Sequence, residues 1–168
     1  DLVDPSRGIR YGIVQPGPFV HNGRLLIRGQ DYSKGWANAS DMYRVGDLIE
    51  SRYRNARVTA GDLIITIVGA STGHIEEVPG WLDTANLTQT TARIAIDRRK
   101  AEPRFAKYIL ASSLGESHVA NYVKGGAQPG LNCGDVEKFL IPHPPSIEEQ
   151  TLIAVSYTHL RAHETSLH

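Results

Sequence analysis

Residues 125–150, GGAQPGLNCGDVEKFLIPHPPSIEEQ, decide how the chain is divided. They read as a glycine-rich turn, a short apolar run, a proline block and a helix start. Gly125, Gly126 and Gly130 permit positive φ and Pro129 lacks a donor, so residues 125–131 can approach a partner closely or pack the domain shut. Pro142, Pro144 and Pro145 stop any strand or helix. Ser146 followed by Glu149 has the spacing of a capping box, in which the serine oxygen takes an orphan amide and the glutamate reaches back to the cap. A helix should therefore begin near Ile147, leaving one globular body behind it.

Immediately upstream, the basic turn Asp97-Arg98-Arg99-Lys100 precedes Pro103, a favoured first helical residue. Phe105, Tyr108 and Ile109 fall at i, i+3, i+4 and predict one core-facing stripe. Gly115 is expected to interrupt this helix. A second helix over residues 116–124 should turn Val119, Tyr122 and Val123 inward and end at Gly125 as C′. Further back, residues 61–68 (GDLIITIV) form the strongest strand of the chain, apolar enough to be buried on both faces. Residues 92–96 alternate as a strand. Residues 7–14 (RGIRYGIV) and 24–28 (RLLIR), separated by Gly17-Pro18 and Asn22-Gly23 turn signals, read as a hairpin. Residues 34–40 are a loop.

Composition excludes several classes. The chain of 168 residues is 40% hydrophobic and 21% charged, as expected of one soluble globular domain. Lys plus Arg equals Asp plus Glu at 18 each, so nucleic-acid binding must rest on local patches and not on a global basic field. Cys133 is the sole cysteine, which precludes an internal disulfide and fits a reducing, cytoplasmic setting. No apolar run is long enough to span a membrane. The start at Asp1, without a basic n-region or apolar h-region, reads as a fragment lacking a targeting segment.

Four local features carry chemistry. Residues 47–57 (DLIESRYRNAR) set Arg52, Arg54 and Arg57 around Tyr53, suited to phosphate contact or base stacking and equally to a solvated face. Residues 69–73 (GASTG) match the nucleophile elbow, but Pro79-Gly80 arrives too soon for the helix an elbow needs, so a serine hydrolase using Ser71 is only the alternative reading. Asn86, Gln89, Thr90 and Thr91 concentrate neutral hydrogen-bonding groups that can read base edges or line an exposed sheet face. His159 and His163 have helical metal-ligand spacing, yet residues 155–165 (VSYTHLRAHET) look like a translated sequencing adapter. We therefore treat residues 155–168 as an artefact tail and assign no metal.

The ordered set of Gly61-Asp62-Leu63-Ile64-Ile65, the 69–73 turn, Lys107-Tyr108-Ile109-Leu110, the 125–131 loop and Ile141-Pro142-His143-Pro144-Pro145 leading to Glu149-Gln150 resembles the target recognition domain of type I restriction-modification DNA specificity subunits. His143 stands where that family usually has an apolar residue. The resemblance implies a mixed α/β (α+β) fold with a strongly twisted sheet and short helices over residues 1–145. It also implies the start of a spacer helix over 146–154. It further implies a non-catalytic subunit without cofactors that reads one half of a split double-stranded DNA target. Its partners would be methyltransferase subunits docked through the spacer and a motor nuclease subunit. Loop placement and chemistry then nominate Arg28, Gln30, Lys34, Arg52, Arg54, Arg57, Ser71, Thr72, Gln89, Lys124 and Gln128 as DNA contacts. A protein-interaction module on the same fold is a further alternative.

Overall fold

A computed structural model describes residues 1–167 of the chain; of the expected tail, His168 lies outside the described residues. The strands are β1 (Ile9–Tyr11), β2 (Arg24–Ile27), β3 (Tyr43–Val45), β4 (Leu63–Thr66), β5 (Ile75–Glu77), β6 (Asn86–Leu87) and β7 (Thr91–Ile94). The helices are α1 (Asp47–Glu50), α2 (Pro103–Leu110), α3 (Ser113–Tyr122), α4 (Cys133–Val136) and α5 (Ile147–Ser166), with short 3-10 turns between strands. The mixed α/β architecture is the expected one, but the strands divide into two small sheets. One has the order β1-β7-β4-β5 and is antiparallel throughout; the other has the order β3-β2-β6, with β2 and β6 parallel.

β4 explains the layering. Its residues are all buried, as the unbroken apolar run predicts. Side chains of a strand alternate between faces, and here the alternation serves two cores. Leu63 and Ile65 join Ile9, Ile94, Ala106 and Leu110 on the helical side. Ile64 joins Tyr32, Val78, Leu82 and Leu87 beneath the smaller sheet. Each such side chain contributes about 1.5–3 kcal/mol of burial, so β4 is the wall that both halves share.

Four local expectations are corrected. Residues 7–14 and 24–28 are not a hairpin: β1 pairs with β7, and β2 pairs with β3 and β6. The reason is Ile13, which is fully buried only because its amide crosses to the Leu87 carbonyl at 2.6 Å, carrying the chain from one sheet to the other. Gly115 lies inside α3, and the break falls at Ala111 and Ser112. A Cβ on Gly115 would stand 1.8 Å from the Leu110 carbonyl oxygen, so glycine is there for close approach of the two helices. The inward face of α2 is Phe105, Ala106 and Leu110, while Tyr108 turns instead to α5, its ring 4.6 Å from that of Tyr157. Finally, α3 caps at Val123 in extended conformation, which places Gly125 (φ 89) one residue beyond C′; Gly126 and Gly130 keep ordinary φ.

The opening stretch holds the body to the exit helix. Gly130 bridges both Lys124 and Val68, and the Leu131 amide donates to the Ile67 carbonyl at 2.7 Å, so residues 129–131 close the sheet and residues 125–128 stay exposed. Ser146 caps α5 by accepting the Glu149 amide at 3.3 Å and donates its hydroxyl to Glu148 at 3.0 Å, but Glu149 does not reach back to the cap, so the return arm of the capping box is absent. Gln150, wholly buried, accepts the Glu102 amide and donates to the Pro144 carbonyl, both at 2.9 Å. That amide fastens the start of α5 to the start of α2.

Candidate nucleic-acid interface

Two rigid lips enclose a groove of about 480 Å³ that gathers four of the predicted contacts, Arg28, Gln30, Ser71 and Gln89. The first lip is the 3-10 turn Gly29–Asp31. Asp31 accepts the Arg28 amide at 2.8 Å and the Arg28 guanidinium at 3.1 and 2.9 Å, tying the turn at its base. The next residue, Tyr32, is buried with its hydroxyl 2.6 Å from Thr66 Oγ1 and 3.0 Å from Thr91 Oγ1, and burial pushes its phenol pKa up. The second lip is the 69–73 turn joining β4 to β5. Gly73 takes φ 95 so that its amide reaches the Thr66 carbonyl at 2.8 Å, and Thr72 Oγ1 donates to the Gly69 carbonyl at 2.6 Å. Thr66, Thr88 and Thr90 lie between the lips. The lining is thus mostly neutral donors and acceptors, the chemistry of base edges rather than phosphates.

The structure sorts the candidates by what they already hold. Arg28 is forked on Asp31, which raises its pKa, and Arg57 is forked on Glu50 at 2.6 Å through both nitrogens, which does the same. Thr72 is bound within its own turn and to Pro129. Gln89, with its amide nitrogen turned inward, donates to the Ile13 and Val14 carbonyls at 2.8 and 2.9 Å. Lys124 reaches toward Asp135 at 4.0 Å. Gln30, Lys34, Arg52, Arg54, Ser71 and Gln128 are exposed, and among the described residues their side chains have no hydrogen-bond partner. Asn86 and Thr91, expected on an exposed or base-reading face, are both fully buried instead. Asn86 donates to Glu50 at 3.1 Å and to the Tyr53 carbonyl at 3.0 Å, because the segment of α1 and the following 3-10 turn packs on β6.

Beneath the arginine-bearing segment lies a charge network that the sequence did not disclose. Glu50, 1% exposed, accepts from Arg57 and Asn86 and sits 3.2 Å from Arg24; the Arg57 hydrogen bonds hold its carboxyl below the usual range. Arg93, 2% exposed in the middle of β7, donates to the carbonyls of Asn55, Arg57 and Arg7, and burial pulls its guanidinium down to about 10. An arginine in an otherwise apolar strand was the available signal. Two of these carbonyls, those of Asn55 and Arg57, fix the end of the 3-10 turn Ser51–Ala56, on which Arg52 and Arg54 project.

A second cleft, of about 640 Å³, lies on the other side of the 69–73 turn and is bordered by Ser71, His74, Glu76, Lys107, Glu116 and Arg161. Glu76 binds Lys107 at 3.2 Å and faces His74 at 3.5 Å. Two carboxylates make this cleft less suited to phosphate. Ser71 itself sits at the tip of an antiparallel hairpin, β4 to β5, so the strand-to-helix turn of a nucleophile elbow is not formed. Among the described residues no cluster of His, Cys, Asp and Glu could hold a metal.

No family model matches the chain. In sequence it is 29% identical over 167 residues to the Type I restriction enzyme EcoBI specificity subunit of Escherichia coli, a match covering 99% of this chain and 35% of that protein. The chain thus spans about a third of this relative's length. In fold it matches the S subunit of the type I restriction-modification system from M. genitalium (TM-score 0.59, 16% identity, 92% of this chain and 36% of that one). It also matches the HsdS subunit from Thermoanaerobacter tengcongensis (TM-score 0.64, 19% identity, 86% and 37%). Sequence and fold agree that the chain is similar to a recognition-domain-sized portion of a type I restriction-modification specificity subunit.

Proposed function

We propose that the chain recognises double-stranded DNA, reading one half of a split target for a type I restriction-modification complex. The observation that carries this reading is the sequence relation to a specificity subunit, and the groove between residues 29–31 and 69–73 supplies a place for it. Free cations outside the groove, Arg52, Arg54 and Lys34, set register on phosphates; neutral groups on the lips meet base edges in the major groove. In this reading residues 1–145 are the recognition domain and 146–154 begin the spacer helix that docks methyltransferase subunits. Residues 155–168 are adapter-derived; recovery of VSYTHLRAHET in the genomic frame overturns that last assignment. The motor nuclease subunit joins the same cytoplasmic complex, and the chain has no catalytic centre or cofactor of its own. Among the described residues no helix is long and apolar enough to cross a membrane.

The test is selection from a random duplex pool by the chain assembled with its methyltransferase. An enriched half-motif, bound less tightly as salt rises, is the expected result. Recovery of no motif overturns the reading in favour of a protein-interaction module.

A further inference from the structure

We infer that Gln30 is a base-reading residue and that the base it reads is adenine. The inference rests on the recognition-domain reading above and names what the groove selects.

A side chain reads a base edge only if its donors and acceptors are unspent in the free protein. Among the amide side chains of residues 86–89, Asn86 is buried on Glu50, and Gln89 spends its nitrogen on two carbonyls of the 13–14 segment. Arg28, the cation on the groove, is forked on Asp31, which leaves it poorly placed to grip guanine. Gln128 is free but rides on an exposed tip behind Gly125 and Gly126. Of the two amide side chains that line the groove, Gln30 is the one that combines a free amide with a fixed stage. It is exposed on the lip of the groove, inside the clasp that Arg28 makes with Asp31, and Asp31 leads into Tyr32, held by Thr66 and Thr91. A carboxamide held on such a turn loses little freedom on binding. Its oxygen accepts from adenine N6 while its nitrogen donates to adenine N7, the bidentate match that glutamine makes best.

Substitution at an exposed position separates reading from folding. The duplex selection is repeated with Gln30→Ala and Gln30→Glu, each assembled with the methyltransferase as for the unaltered chain. The expected result with Gln30→Ala is loss of an adenine preference at one column, by about tenfold, with the remaining columns kept. Gln30→Glu, which can only accept, should move that column toward cytosine, whose N4 donates. If both variants return the unaltered motif, or if the column that changes did not hold adenine, the inference is overturned while DNA recognition stands. If the unaltered chain returns no motif, the recognition reading falls and takes this inference with it.

Discussion

The two sides of β4 are held together by different physics. Toward the helices, Leu63, Ile65, Ile94, Ala106 and Leu110 pack as an apolar cluster in which the backbone is regular sheet and helix. Toward the second sheet, the chain runs through short 3-10 turns. There Glu50 gathers Arg57, Arg24 and Asn86, and Arg93 donates to several main-chain carbonyls, while Arg24 Nε and Arg93 Nε are left without a hydrogen-bond partner among the described residues. Irregular backbone cannot pair its own polar groups, so buried side chains must do it. The lesson is that arginines in this lobe are divided between framework and surface. Counting them measures neither the surface charge nor the number of phosphate contacts.

Substitutions at the centre of each side separate the two kinds of packing. Leu63 is fully buried on the helical side of β4, and Leu63→Ala should cost about 2–5 kcal/mol in urea unfolding. Glu50→Ala should cost about 3 kcal/mol, the lower end for a broken buried pair, because Arg24 and Arg57 are partly exposed and can recover water. If the two sides form one cooperative unit, both variants shift the midpoint and leave the slope unchanged. If Glu50→Ala instead opens only the lobe, hydrogen exchange will show residues 51–58 unprotected while β4 and β7 stay protected, and the halves are separate foldons.

Acid distinguishes them again, with a smaller effect. The Glu50 carboxyl is held below its ordinary value by Arg57, so its contribution is fully present above the unfolded glutamate pKa, about 4.3, and is lost as pH falls through the lowered folded value. Stability should therefore fall on acidification below that point, and Gln at position 50 should flatten the fall. An unchanged acid limb in Glu50→Gln would mean the network is held by shape and not by charge. Asp97, held down at about 2 by hydrogen bonds from Arg99, adds a separate acid fall that this variant leaves in place.

The elements that were legible in the sequence are those with local signals. β4 declared itself by its unbroken apolar run, α2 by Pro103, and α5 by Ser146 after the prolines. What escaped was non-local. Nothing near Ile13 says that it will cross to Leu87, and a glycine such as Gly115 has the same letter whether it breaks a helix or admits a neighbour. For the interface, exposure of the loops at 29–31 and 69–73 was readable from their turn residues. Which side chains would be spent was not, since the partners of Gln89 and Asn86 come from segments distant in sequence, and Arg57 meets Glu50 only because the 3-10 turn between them folds the chain back. Glu50 and Arg93 were passed over for the same reason: a charged letter looks like surface until its partners are known.

The mildest substitutions ask most directly whether the division of the arginines is correct. Arg52 and Arg54 are exposed on the turn that Arg93 supports from below, so Arg52→Ala and Arg54→Ala should each leave stability within about 0.5 kcal/mol. If they meet phosphates, each should weaken binding of every duplex alike and lower the steepness of the salt dependence by about one. Arg57→Ala makes the opposite prediction: lost stability, because Glu50 is left buried with its main partner gone, and an altered salt dependence only insofar as the turn shifts. A salt slope that falls with Arg57→Ala but not with Arg52→Ala or Arg54→Ala would reverse the assignment, placing the DNA against the network and the exposed arginines on a face that water alone occupies.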